Sequence, residues 1–180
     1  MTRRQLGPTE VKRLNRTWRR NTENRLAMVL ESVTGPFNVG SIFRSAAAFG
    51  VARIWLAGNA TPPTNPKAQK TALGTDRLVA WNEAVPALEA VKAAKADGYT
   101  VLAVELTDDA VPMHLTDLDR DICLVVGSED HGCSPALLAE VDGVCYIPQV
   151  GKVGSFNVAV AAAMALAEAR RQEWQDLPES

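Results

Sequence analysis

Residues 26–57 have the sequence LAMVLESVTGPFNVGSIFRSAAAFGVARIWLA, and their pattern predicts the fold class. Residues 26–30 are a short apolar run that predicts a buried strand. Pro36 opens a helix whose apolar residues recur at spacings of three and four, and Gly50 ends it. Residues 51–57 are a second apolar run. A strand, a helix and another strand in succession favour a parallel sheet covered by helices on both faces.

The same alternation continues toward the end of the chain. Further apolar runs predict strands at 100–106, 121–127 and 143–148. Periodic or capped segments predict helices at 84–96, 134–140 and 156–175, and Ser134 is the expected N-cap of the second. Residues 58–76 are polar and predict a loop or a short broken helix. We therefore predict an α/β fold, with helices flanking a mostly parallel sheet.

Composition and charge narrow the class of protein. The 180 residues are 47% hydrophobic and 22% charged, with ten prolines and twelve glycines, which suits one domain and argues against disorder and a coiled coil. Residues 1–25 carry a net charge of +6 and the other 155 carry −8. We predict a basic arm or helix at 1–24, before a single domain at 25–180. A nucleic-acid contact and a solvated helix without a ligand both fit the arm.

The sequence predicts a cytoplasmic protein. No apolar segment has the place and length of a signal peptide, and the longest apolar run, at 158–167, is too short to span a bilayer. Cysteine occurs three times, without a CxxC pair, and histidine twice, so we expect free thiols in a reducing compartment. The same counts argue against a structural zinc site, and we expect no metal.

Three segments near the ends of predicted strands are rich in glycine and small polar residues: 38–44, 127–132 and 149–157. Ligands of open α/β sheets bind beyond the carboxyl ends of the strands, which makes these segments the candidate site. The chain lacks GxGxxG, the P-loop and GxSxG, so a dinucleotide fold, a P-loop enzyme and a serine hydrolase are disfavoured. Taken singly, the polar residues of the three segments also suit surface, loop and helix-cap positions.

Together, the three segments resemble the three motifs of the SpoU/TrmH branch of the SPOUT RNA methyltransferases. The stretch NVGSIFRSAAAFG at 38–50 resembles the first motif, and LVVGSEDHG at 124–132 resembles the second. The third resembles the stretch from IP at 147–148 to SFNVAVA at 155–161. The order and spacing also match, over about residues 25–173. Gln149 and Phe156 depart from the family's usual Met and Leu, and both lie in the expected cofactor wall.

The resemblance implies a C-terminal trefoil knot, a homodimer whose site draws residues from both subunits, and S-adenosylmethionine as cofactor. It further implies methyl transfer to a ribose 2′-hydroxyl of RNA. We favour tRNA as the substrate over rRNA, because a compact body with a basic arm suits a tRNA loop. A non-catalytic RNA-binding protein of the same fold is a further alternative. A nucleotide-binding oxidoreductase is disfavoured by the missing GxGxxG.

The resemblance also implies site residues. The catalytic candidates are Arg44, Asn38, Glu129, Ser155 and Asn157, and the cofactor-binding candidates are Val104, Gly127, Ile147 and Phe156. Arg44 is expected to fork onto the adjacent phosphate and stabilise the developing alkoxide, because a guanidinium with a pKa above about 12 is a poor general base. A phosphate oxygen or a transiently neutral Arg44 would accept the proton. Asn38 is expected to orient Arg44 or the RNA.

Overall fold

The computed structural model describes residues 3–175 and residue 177. Its parallel strands form one sheet in the order β3-β2-β1-β6-β4-β7-β5. The strands are β1 (Leu26–Glu31), β2 (Val51–Ala57), β3 (Ala80–Trp81), β4 (Thr100–Val104), β5 (Val111–Pro112), β6 (Ile122–Val126) and β7 (Gly143–Tyr146). The helices are α1 (Pro8–Arg20), α2 (Pro36–Phe49), α3 (Pro66–Ala72), α4 (Ala87–Ala96), α5 (Pro135–Leu138) and α6 (Val158–Trp174). The predicted α/β fold with a parallel sheet is confirmed.

The side chains of β1 show how the two helical layers arise. Successive residues of a strand face opposite sides of the sheet. Met28 and Leu30 therefore pack into one core with α2, α3 and α6, while Ala27 and Val29 pack into the other with α4 and α5. Because both faces are covered, β1 is buried along its whole length. This explains why its sequence is apolar without alternation.

Three strands end earlier than predicted: β6 ends at Val126 instead of 127, and β4 and β7 each end two residues early. β4 ends at Val104 instead of 106, because the side chain of Glu105 accepts a hydrogen bond from the Leu106 amide (3.0 Å) and so replaces the ladder. β7 ends at Tyr146 instead of 148, and Pro148 has no amide proton with which to continue it. The two-residue strands β3 and β5 are absent from the sequence prediction.

Helix α5 extends over Pro135–Leu138 instead of 134–140, and helices α4 and α6 begin two or three residues later than predicted. α4 begins at Ala87 instead of 84, because Val85 pairs with Ala57 in an isolated bridge beside β2. α6 begins at Val158 instead of 156, because Asn157 is its N-cap. Residues 58–76, predicted as a loop or a short broken helix, contain α3 and a 3₁₀ turn. Within the described part of the chain, every helix is too short or too polar to cross a bilayer.

Helix α1 lies outside both cores, and none of its residues is buried. Its C-terminal end is anchored through Trp18, whose ring lies 4.8 Å from that of Trp174 on α6. A buried ion pair holds the connection to β1. In it, Arg170 Nη1 donates to Glu173 Oε2 (2.5 Å) and to the carbonyl oxygen of Asn24 (2.8 Å). The end of α6 therefore fixes where the basic segment leaves the domain.

Candidate functional site

A cavity of about 470 Å³ opens at the carboxyl ends of β4, β6 and β7. Its walls are the loops that follow these strands and the first turn of α6, and its volume is that of a small-molecule site. The lining includes seven of the nine residues implied by the sequence resemblance: Val104, Gly127, Glu129, Ile147, Ser155, Phe156 and Asn157. The structure thus brings together residues that lie up to 53 positions apart in the chain.

A chain of side-chain hydrogen bonds joins the three candidate segments at the rim of this cavity. Asn38, on the first turn of α2, donates through Nδ2 to Oε1 of Glu129 (2.9 Å). Asn157 donates through Nδ2 to Oδ1 of Asn38 (3.0 Å). The oxygen of the Asn157 amide meanwhile caps α6 by accepting from the backbone of Ala159 and Val160. Asn38 is therefore oriented by Glu129 and Asn157, and its described hydrogen bonds do not include Arg44.

Glu129 also caps helix α2 from outside. The N-cap of α2 is Gly35, which has no side chain to accept the first amide protons. The carboxylate of Glu129 accepts from the amides of Gly35 (3.0 Å) and Thr34 (3.3 Å) instead. Partial removal from water raises the pKa of Glu129, but the hydrogen bonds from Asn38 and from these amides outweigh this effect, so the net pKa is lowered. An ionised carboxylate at the positive end of a helix dipole is stabilising.

Two further carboxylates, not predicted from the sequence, fix the loop after β6. Glu31, at the end of β1, accepts from the backbone amide (2.8 Å) and hydroxyl (2.6 Å) of Ser134. Glu105, just beyond β4, accepts from the backbone amide of Cys133 (3.0 Å). Since β6 lies between β1 and β4, its loop is held from both sides. Both residues could have been found from the sequence, because each is an acidic residue directly at the end of an apolar run that predicts a buried strand.

The loop also requires glycine. Gly132 has a φ of 66°, and an added Cβ atom would overlap the carboxylate of Glu105. A Cβ atom on Gly127 would overlap the backbone of Gly132 and Cys133. The loop therefore folds tightly back on the end of β6, and the backbone groups of Gly127 are brought to the cavity wall.

Arg44 and Ser155 take different positions relative to the cavity. Ser155 is exposed in its lining. Arg44 is exposed on α2 and does not line the cavity of its own chain. It lies close in sequence to Ser41 and Ser45, which line a shallow groove of about 480 Å³ between α2 and α6. Asn38 and Asn157 line that groove as well, so the asparagine pair lies between the groove and the cavity.

Comparison with known proteins places these observations in a family. The model of the SpoU rRNA Methylase family matches residues 25–167. A 23S rRNA (guanosine-2′-O-)-methyltransferase of Acinetobacter baylyi is 33% identical over 153 residues, which are 84% of this chain and 62% of that protein. A tRNA (guanosine(18)-2′-O)-methyltransferase of Thermus thermophilus is 36% identical over 155 residues, which are 85% of this chain and 78% of that protein.

Solved structures agree with the sequence matches. An AdoMet-bound rRNA methyltransferase from Sinorhizobium meliloti superposes with a TM-score of 0.78 at 29% identity, over 84% of this chain and 58% of that one. The SpoU methyltransferase AviRb from Streptomyces viridochromogenes, in complex with AdoMet, gives 0.76 at 29% identity, over 86% and 62%. The chain thus spans about three fifths of the length of several proteins that it matches.

Proposed function

The chain belongs to the SpoU rRNA Methylase family, and we propose that it is an S-adenosylmethionine-dependent methyltransferase acting on a ribose 2′-hydroxyl of RNA. One observation carries this proposal. Asn38 is hydrogen-bonded both to Glu129 and to Asn157 at the rim of a cavity of suitable size, and each of the three residues belongs to a different motif-like segment. The named relatives that transfer methyl groups to ribose in rRNA and tRNA support the same reaction.

The cavity fits an adenosyl ligand. Apolar side chains such as Val126, Ile147 and Val158 offer surfaces for a purine ring, and the ends of the strands offer backbone amides and carbonyls. Gln149 also lines the cavity, and its buried Oε1 has no hydrogen-bond partner among the described residues. A buried polar atom without a partner is costly, so a ligand donor that reached this amide would be favoured.

We propose a division of labour between the cavity and Arg44. S-Adenosylmethionine held in this cavity would supply an electrophilic methyl group for the ribose oxygen, and its sulfur would leave as the thioether of S-adenosylhomocysteine. Arg44 holds the adjacent phosphate through its fork of N–H donors and stabilises negative charge on that oxygen. Because a guanidinium stays protonated, we assign the departing hydroxyl proton to a phosphate oxygen.

We propose that the active form is a homodimer in which Arg44 serves the cavity of the partner subunit. Arg44 does not line its own cavity, and the surrounding face of α2 and α6 exposes Phe37, Val160 and Met164. The test mixes two variants that we expect to be inactive, Arg44→Ala and Ser155→Trp, the second of which places a bulky side chain at an exposed position of the cavity lining. Their mixture should recover methyl transfer, because one site of each heterodimer would be complete. An inactive mixture of two folded, dimerising variants would place Arg44 in the cavity of its own subunit.

We propose that the basic segment at 1–24 binds the phosphate backbone of tRNA. No residue of helix α1 is buried, and the end of the helix is anchored at the domain by Trp18. Replacing Arg16, Arg19 and Arg20 with glutamine should weaken RNA binding and lower the slope of log K against log salt by about 2 to 3. Replacement of Lys92, Lys95 and Arg120 removes the same charge elsewhere and serves as the control. Equal slopes for the two triple variants would exclude the arm from the RNA contact.

We further propose the trefoil knot and a cytoplasmic location. β7 follows β6 in the chain but lies between β4 and β5, which supports threading of the segment after β7 through the β4–β6 connection. Mechanical extension from both ends should then stop short of the contour length of a free chain. A fully extended chain would refute the knot.

The proposed cytoplasmic location is supported by the three cysteines, which are buried and free and therefore suit a reducing compartment.

Transfer of a labelled methyl group from the cofactor to separated tRNA and rRNA tests the proposed function. We expect the label on tRNA. The tRNA-specific relative from Thermus thermophilus supports this choice, since the chain spans more of it than of the rRNA-specific one. Label on rRNA alone would mean that the substrate is rRNA instead of tRNA, and that the proposed reaction is otherwise correct. Cofactor binding without transfer to either RNA would favour a non-catalytic RNA-binding protein.

A further inference from the structure

Glu105 places a carboxylate in the wall of the cavity, and the proposed reaction assigns no role to this residue. We propose that it accepts hydrogen bonds from the ribose hydroxyls of the bound cofactor. This inference rests on the proposed function and adds a residue to the cofactor site. Glu105 directly follows Val104 at the carboxyl end of β4, is partly buried, and lines the cavity.

The geometry holds this carboxylate in place without using up its acceptor capacity. Oε1 accepts from the amide of Leu106 and Oε2 from the amide of Cys133, each at 3.0 Å. A carboxylate offers about four lone-pair sites, so about two remain. The missing side chain of Gly132 leaves room for the carboxylate, because an added Cβ atom would overlap it. Glu105 is therefore anchored by two backbone donors beside the cavity and retains acceptors for a ligand.

The other acidic residues of the lining are less suited to this role. Glu129 is occupied by Asn38 and by two backbone amides at the start of α2. Asp130 is exposed, so its interactions are weakened by water. A vicinal pair of hydroxyl groups presents two neutral donors to the two oxygens of one carboxylate. A partly buried carboxylate gains from such donors, because they replace the water that a bound ligand displaces.

The experiment measures affinity rather than turnover. S-Adenosylhomocysteine and its 2′-deoxy and 3′-deoxy forms are titrated calorimetrically into the wild-type protein and into Glu105→Gln. Wild type should bind at least one deoxy form about tenfold to a hundredfold more weakly, as expected for a lost hydrogen bond to a charged group. Glu105→Gln should bind S-adenosylhomocysteine more weakly by a similar factor. It should then show little further loss with that deoxy form.

Glu31→Gln is the matched control, because Glu31 also holds the loop after β6 but does not line the cavity. It should change the affinity for all three ligands by the same factor. An equal loss for all three with Glu105→Gln would reduce Glu105 to a loop clamp and overturn the inference. So would wild-type protein that binds both deoxy forms as tightly as S-adenosylhomocysteine. Wild-type protein that binds none of the ligands would overturn the proposed function, and this inference with it.

Discussion

Replacement of Glu129 by glutamine tests whether one carboxylate links the loop after β6 to helix α2. Three donors converge on it, from Asn38 (2.9 Å), Gly35 (3.0 Å) and Thr34 (3.3 Å). Hydrogen bonds to a buried charge contribute about 1.5–3 kcal/mol each. Glu129 is exposed, however, so water can take the place of its carboxylate as the acceptor for these donors. The stabilisation that an N-cap and its interaction with the helix dipole contribute is the better guide. We therefore expect Glu129→Gln to lower the free energy of unfolding by about 1–2 kcal/mol. For a chain of this size, that lowers Tm by about 2–8 °C.

The pH dependence adds a sharper test. The folded-state pKa of Glu129 is lowered from its ordinary value of 4.5, so its stabilisation is present above that value and is lost as the pH falls through the folded-state pKa. Urea unfolding at pH 7 should therefore separate wild type from Glu129→Gln, and the gap should close in acid. Asp130→Asn is the control, because it removes the neighbouring charge and should leave stability within about 0.5 kcal/mol. A gap that is absent at pH 7, or unchanged in acid, would show that the charge of Glu129 does not stabilise the start of α2.

Three further predictions concern other parts of the molecule. Arg44→Ala should lower methyl transfer by at least about a hundredfold, with cofactor affinity by calorimetry unchanged; a parallel loss of affinity would contradict its assigned role. Gly132→Ala should destabilise the fold by more than about 2 kcal/mol in urea, whereas Gly74→Ala, at a positive φ with open space around it, should cost about 1 kcal/mol. Equal losses would show that the clash is relieved. Glu173→Gln breaks the buried ion pair and should cost about 3 kcal/mol or more, whereas Arg120→Gln, in an exposed pair, should cost less than about 1 kcal/mol. A small effect at Glu173 would mean that water reaches the pair.

The parts of the fold that depend on neighbours in sequence could be predicted from the sequence. Ser134 caps α5 by accepting from the amide of Leu137, as its position before Pro135 indicates. Gly50 ends α2 in the left-handed conformation, with a φ of 69°. In both cases the chemistry of one or two residues selects the local backbone, so a single sequence contains enough information.

The parts of the fold that depend on residues distant in sequence could not be predicted from the sequence. Glu31 and Ser134 are 103 positions apart, and their contact exists only because β6 lies beside β1. The two-residue strands β3 and β5 are too short to form a pattern, and their pairing depends on the strands beside them. The links among Asn38, Glu129 and Asn157 likewise require the fold. The resemblance grouped these residues, and the structure supplies the hydrogen bonds between them.

The identity of the methylated atom distinguishes methylation of the ribose from methylation of a base. RNA modified by the purified protein with labelled S-adenosylmethionine is digested to nucleosides, and the labelled nucleoside is identified by mass spectrometry. If the cavity and Arg44 act on ribose as proposed, the methyl group will be on the sugar, as a 2′-O-methylnucleoside. A methyl group on a base nitrogen or carbon would contradict the proposed reaction, even if the cofactor and the RNA were as expected.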